Sequence, residues 1–199
     1  MNMWDERFDT PDYVYGTEPN HFLEEMIERI PLGPVLCVGE GEGRNAALLA
    51  AKGYDVTAVD ASSVGLRKAA ELAAARGISV ETVHADLADY TIEPSHWAGI
   101  VSIFCHLPPP LRATVHRAVV DGLRPGGVFV LEAYSPRQLE YRTGGPPTLE
   151  LLMDLDTIKN ELAGLDFERA EELVRRIGEG RFHKGDGSVI QILGIKTEN

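Results

Sequence analysis

Cysteine is scarce: Cys37 and Cys105 are the only two among 199 residues, and each lies inside an apolar run. Both read as small buried hydrophobes, and a secreted disulfide framework is excluded, so a reducing, cytoplasmic setting is expected. Positive charge is short as well, with 19 Lys and Arg against 31 Asp and Glu, a net charge of −12. A field of that sign repels nucleic acid and anionic membrane surfaces, which leaves neutral or cationic small molecules as the expected partners. No apolar run approaches the length of a membrane span, and residues 1–7 show no basic stretch leading into an apolar one. Neither a membrane anchor nor a secretory leader is therefore expected. Internal repeats and low-complexity tracts are absent, and no metal is required by any cluster of residues.

What is present is ordinary globular material, 44% hydrophobic and 25% charged, enough for one domain with a full core. Its centre is the stretch Val35-Leu36-Cys37-Val38-Gly39-Glu40-Gly41-Glu42-Gly43-Arg44-Asn45, an apolar run broken by three alternate glycines and followed by Ala- and Leu-rich sequence. Such a stretch predicts a strand, a tight turn and a helix N-terminus. Glycines there let backbone approach a ligand at positive φ, and the helix start offers free amides and a positive dipole end. A nucleotide-like cofactor is expected on it.

The rest of the chain falls into place around that turn. Residues 4–20 mix aromatics, acids, Gly16 and two prolines and predict an irregular arm; residues 21–30 carry apolar side chains at helical spacing. Residues 1–33 are thus expected to form a lid on the domain 34–199. Strands are predicted at 35–38, 54–60, 78–85, 100–104 and 127–133, alternating with helices at 44–52, 64–76 and 110–123. That beat means a parallel, doubly wound α/β sheet. Beyond a polar loop at 135–148 and a helix at 149–162, strands at 167–177 and 188–196 are separated only by turn-rich sequence and must pair antiparallel. The expected fold is Rossmann-like, with seven strands and a C-terminal antiparallel hairpin.

Two cofactor classes suit such a crevice, dinucleotides and S-adenosylmethionine. A dinucleotide turn places its third glycine where this chain has Arg44. Glu40 and Glu42 also oppose a pyrophosphate, since a carboxylate about 5 Å from a phosphate at an effective dielectric near 20 costs about 3 kcal/mol. A cationic sulfonium is favoured by the same acids. Asp60, closing strand two, suits either class by accepting hydrogen bonds from ribose hydroxyls.

On these residues the chain resembles class I S-adenosylmethionine-dependent methyltransferases. The stretch 35–43 resembles their first motif, Val59-Asp60 their second acid, Asp86-Leu87 the pair that binds adenine, and Leu123-Arg124-Pro125-Gly126-Gly127 the turn before the fifth strand. The arm and Gly43-Arg44-Asn45 resemble the small bacterial members related to tellurite-resistance and thiopurine methyltransferases. The resemblance implies a cofactor site of Gly39, Glu40, Gly41, Gly43, Arg44, Asn45, Asp60, Ala61, Asp86, Leu87, Phe104 and Cys105, covered by Trp4 and Tyr15. One departure is Cys37, where many members have an acid; Glu40 or Glu42 is expected to supply the missing contact.

For chemistry, His106 beyond strand four is the candidate general base, against the plainer reading that it satisfies local backbone. Arg137 and Arg142 are candidates for holding an anionic acceptor. His183 reads as a turn or surface residue. The expected function is methyl transfer to a small nucleophile such as a thiol or a selenium or tellurium oxyanion. A nicotinamide-dependent oxidoreductase and a cofactor-binding protein without turnover are the alternatives.

Overall fold

The computed structural model describes residues 2–180 and 183–197; Arg181 and the side chain of His183 fall outside them. Seven strands form one sheet: β1 (Pro34–Val38), β2 (Asp55–Asp60), β3 (Glu81–His84), β4 (Trp97–Ile103), β5 (Leu123–Tyr134), β6 (Leu165–Glu179) and β7 (His183–Lys196). Their order is β3-β2-β1-β4-β5-β7-β6. The first five run parallel, and β7 pairs antiparallel with both β5 and β6. The expected α/β fold with its terminal hairpin is therefore observed.

All seven residues of β4 are buried, as a central strand covered on both faces requires. Side-chain alternation then splits the interior in two. Leu36, Ile100, Phe129 and Leu131 pack with Val115 and Val119 of α5 (Pro109–Gly122) and Ile158 of α7 (Leu155–Glu161). On the other face Val35, Cys37, Val101 and Val130 pack with Phe22 and Leu23 of α2 (His21–Met26), Leu49 of α3 (Arg44–Ala51) and Leu66 of α4 (Ser63–Ala75). Cys37 is fully buried there as the expected small hydrophobe.

Five local expectations are corrected. The arm contains a helix, α1 (Met3–Phe8), closed by a capping box in which the Asn2 side chain accepts the Asp5 N–H and Asp5 returns a bond to the Asn2 backbone. The predicted helix at 149–162 is interrupted, because Met153 N–H donates to Tyr134 O at the end of β5 and Asp154 caps a new helix, α7, through Thr157 N–H. Strand three is shorter than expected, and the polar loop holds a turn of helix, α6 (Gln138–Tyr141). The hairpin is paired much further, to Glu179 and His183. Gly185 and Gly187 lie in β7 and not in a turn: a Cβ on them would come 2.7 Å from Thr143 Cγ2 and 2.8 Å from Ile177 Cδ1. They mark close approach of neighbouring chain. No helix among the described residues is long and apolar enough to cross a membrane.

Candidate functional site

Strand order reverses between β1 and β4, and the carboxyl ends of β1, β2 and β4 meet at that point, where open α/β sheets place their ligand crevice. The glycine turn after β1 takes φ values of +63° at Gly39, +63° at Gly41 and +88° at Gly43, which is why these positions are glycine. Its amides are anchored across the crevice: Gly39 and Glu40 N–H donate to Val59 O, and Gly41 N–H donates to Asp60 Oδ2 at 2.8 Å. Asp60 Oδ1 accepts from Ser62 N–H at 2.7 Å. The carboxylate is held at the end of β2 by one amide on each oxygen, and burial raises its pKa above the usual range despite those bonds. Each oxygen keeps a lone pair for a ligand hydroxyl.

The neighbouring strand ends bring the other expected residues alongside. Ala85 N–H donates to Asp60 O and His84 Nε2 lies 3.1 Å from Ala61 O, so Asp60, Ala61, Asp86 and Leu87 follow one another along the rim. Asp86 is exposed, with Oδ1 taken by Ala88 N–H. Phe104 has φ +53°, a strained value for a bulky residue at the end of β4, and stacks on Tyr134 at 4.6 Å between ring centres. Cys105 packs so closely on the turn that a Cβ on Gly39 would sit 2.6 Å from its Sγ. Burial and the nearby Asp60 charge push the Cys105 thiol up to about 12, so it stays protonated.

Several side chains point elsewhere than expected. Glu40 Oε1 accepts from Asn45 and Ala46 N–H, both at 2.9 Å, and so caps the start of α3. Glu42 turns away from the crevice, buried against Lys68 of α4 with Nζ 2.5 Å from Oε1. It cannot stand in for an acid at position 37, which leaves Glu40, near Asp60, as the acid of the turn beside the crevice. Arg44 is buried as an ion pair with Glu179 at 2.6 Å and also reaches Glu18 O; Asn45 Oδ1 accepts Asn20 N–H. Neither side chain is directed at the crevice, because both are taken up in joining α3 to the arm and the hairpin. Gly43 likewise serves packing: a Cβ there would sit 2.5 Å from Ala69 Cβ on α4.

His106 takes the plainer of its two readings. Its Nδ1 lies 2.8 Å from Leu151 O and its Nε2 accepts Tyr134 N–H at 3.3 Å, which fixes one neutral tautomer with both nitrogens occupied by backbone. Burial holds its pKa down to about 4. A general base needs a free nitrogen, so the catalytic expectation for His106 is corrected.

Trp4 lies on α1, more than a third exposed and stacked on Phe8, and Arg7 bonds the Tyr15 hydroxyl at 3.1 Å. Arg137 and Arg142 are exposed on the loop after β5, Arg142 beside a cleft of about 480 Å³ lined by Gln138 and Pro146. Sequence reading missed Phe8, Lys68 and a buried network in which Asn20 Nδ2 donates to Glu132 and Glu179 while Arg175 pairs with both acids. Lys68 reaches Phe8 across 60 residues of chain and Asn20 reaches Glu179 across 159, separations that no local pattern could have found. Among the described residues no group of three His, Cys, Asp or Glu could hold a metal ion.

Residues 35–127 match a family described as a methyltransferase domain. The carboxy-S-adenosyl-L-methionine synthase of Aeromonas hydrophila is 33% identical over 120 residues, 59% of this chain and 43% of that protein. The chain thus spans less than half the length of the curated relatives it matches. Two solved structures share the fold. One, from work on conversion of a disulfide bond into a thioacetal group during echinomycin biosynthesis, has a TM-score of 0.77 at 22% identity over 97% of this chain and 87% of that one. The other, TehB from Haemophilus influenzae, has a TM-score of 0.75 at 18% identity, covering 89% and 62%. Residues 35–127 are thus similar to a methyltransferase domain, and the whole chain shares its seven-stranded, Rossmann-like α/β fold with these structures.

Proposed function

We propose that the protein transfers a methyl group from S-adenosylmethionine to a small molecule that arrives as a ready nucleophile, a thiolate or a selenium or tellurium oxyanion. The donor set fits the cofactor: Asp60 presents two part-satisfied carboxylate oxygens to ribose hydroxyls, and Asp86 with Leu87 forms an edge for adenine. Gly39 and Gly41 keep the turn low enough for close approach, and the aromatic faces of Trp4 and Tyr15 suit a sulfonium by cation–π attraction. Residues 1–33 act as the lid over it. The cofactor, when bound, supplies a methyl group on a leaving group that needs no protonation.

The protein's own part is to align the two reactants and keep water out. The observation that carries the choice of acceptor is His106, held neutral with both nitrogens bonded to backbone. The buried thiol of Cys105 is held protonated, and Tyr134 is pushed well above the ordinary phenol range by burial and by the Glu179 carboxylate. None of these three groups can take a proton from an acceptor near neutrality. Exposed Arg137 and Arg142 would draw an anionic one.

Purified protein should bind S-adenosylhomocysteine and should methylate thiols or selenium and tellurium oxyanions from a panel that also holds phenols and amines. Its kcat/KM should rise with pH along the acceptor's own ionisation. Transfer confined to phenols or amines, with a rate following a protein group, would overturn the acceptor class. Binding of NAD without S-adenosylhomocysteine would overturn the cofactor.

A further inference from the structure

Residues 8–15 of the arm cross the glycine turn, and two buried side chains hold them there. Lys68, on α4 and 5% exposed, has its Nζ 2.6 Å from Asp12 O, 3.1 Å from Thr10 O and 3.2 Å from Phe8 O. The same ammonium pairs with Glu42 in the turn. Glu42 Oε2 in turn accepts Val14 N–H at 2.8 Å and Tyr15 N–H at 3.3 Å. The cation gathers the arm's carbonyls and the anion its amides, so the pair recognises backbone polarity and permits one path for the arm.

That path brings α1 down onto the crevice. The Phe8 ring lies so near the turn that a Cβ on Gly41 would be 3.1 Å from it and one on Gly65 3.0 Å. Tyr15 meets Phe8 edge-on, Trp4 stacks on the same ring, and the Tyr13 hydroxyl donates to Lys68 O. Stability alone does not account for a buried ion pair, since a well-packed apolar pair of similar volume is often as stable. A pair with one member in the ligand-binding turn and both bonded to a terminal arm couples the two instead.

Building on the cofactor reading above, we propose that Lys68 and Glu42 are positioning residues that latch the arm shut across the cofactor crevice, setting cofactor affinity without touching the cofactor. Closing the arm is then paid in advance by the latch, and the cofactor meets a preformed cover. Apolar contacts of Phe8 keep the arm attached, and the latch fixes where it sits.

The test uses the full chain in three forms, K68M, the neutral pair E42Q with K68M, and K68R, each compared with wild type. The double variant leaves no unpaired buried charge and keeps the fold accessible if K68M alone does not fold. Without ligand, chymotrypsin should cut at Trp4, Phe8, Tyr13 or Tyr15 at least about tenfold faster in the double variant, and its dissociation constant for S-adenosylhomocysteine should rise at least about tenfold, the equivalent of 1.4 kcal/mol. KM for S-adenosylmethionine should rise while kcat at saturation stays within about threefold, because bound cofactor restores the closed arm. K68R, which keeps the charge and the donors, should recover most of the affinity. A folded double variant with wild-type cleavage and wild-type affinity overturns the latch. If wild type itself fails to bind S-adenosylhomocysteine, the cofactor reading falls, and the rate of arm cleavage alone decides whether Lys68 and Glu42 hold the arm.

Discussion

A carboxyl group buried at a helix N-terminus is pulled two ways, and Glu40 is such a group. Burial raises its pKa to about 7, against the lowering effect of the Ala46 and Asn45 amides and Arg44, while Asp60 adds a further rise. The folded chain therefore holds this proton more tightly than the unfolded chain, and the resulting stability declines as pH rises from about 4.5 towards 7. A cationic ligand in the crevice favours the ionised form. Affinity for S-adenosylmethionine should therefore strengthen between pH 6 and 8 in wild type, and E40Q should flatten that slope; calorimetric titration at both pH values checks it, and parallel slopes would remove Glu40 from the ligand's field. Glu40 in the turn and Asp60 at the end of β2 were legible in the sequence by residue type and position. Direction was not, because Glu40, Glu42 and Arg44 are all charged residues beside glycines and only their distant partners tell them apart.

At the scale of elements, the turn and its two helices form one packed unit. Gly43 combines a φ of +88° with a Cβ position only 2.5 Å from Ala69 Cβ, whereas Gly53, at +90°, has nothing within 4 Å. Both substitutions to alanine incur the left-handed backbone penalty, about 1 kcal/mol, and only G43A adds a clash between α3 and α4, about 1–3 kcal/mol more. Urea unfolding of G43A beside G53A should show that difference; equal losses would mean that α4 moves freely away. The strand-turn-helix beat that defines these elements was readable from apolar runs punctuated by Gly53, Gly77 and Pro125. The hairpin's true length was not, since Gly185 and Gly187 look like turn residues until the loop at Thr143 and β6 at Ile177 are placed against them.

Across the whole molecule, buried polar side chains join what the sheet alone leaves separate. Asn20, Arg44, Glu132, Arg175 and Glu179 tie the arm, the start of α3 and the hairpin together, and Arg112 and His116 of α5 grip Glu161 of α7. Burial opposes the Glu161 charge, but the His116 and Arg112 hydrogen bonds outweigh it and hold the carboxyl at about 2. Its contribution to stability is present above the unfolded carboxyl pKa and is lost as pH falls from about 4.5 to 2. Thermal unfolding across that window should show a steeper loss for wild type than for E161Q, and equal slopes would mean that the α5–α7 contact carries no linked proton. Sequence by itself determined the layered α/β fold, the glycine turn and the acid after β2, because each is a local pattern of apolar period, positive φ and chain direction. Tertiary structure decided that His106 is held by backbone, that Glu42 and Lys68 face the arm and that Arg44 faces the hairpin. A charged or titratable side chain takes its role from partners that folding brings to it from far along the chain, and those partners leave no mark on its own stretch of sequence.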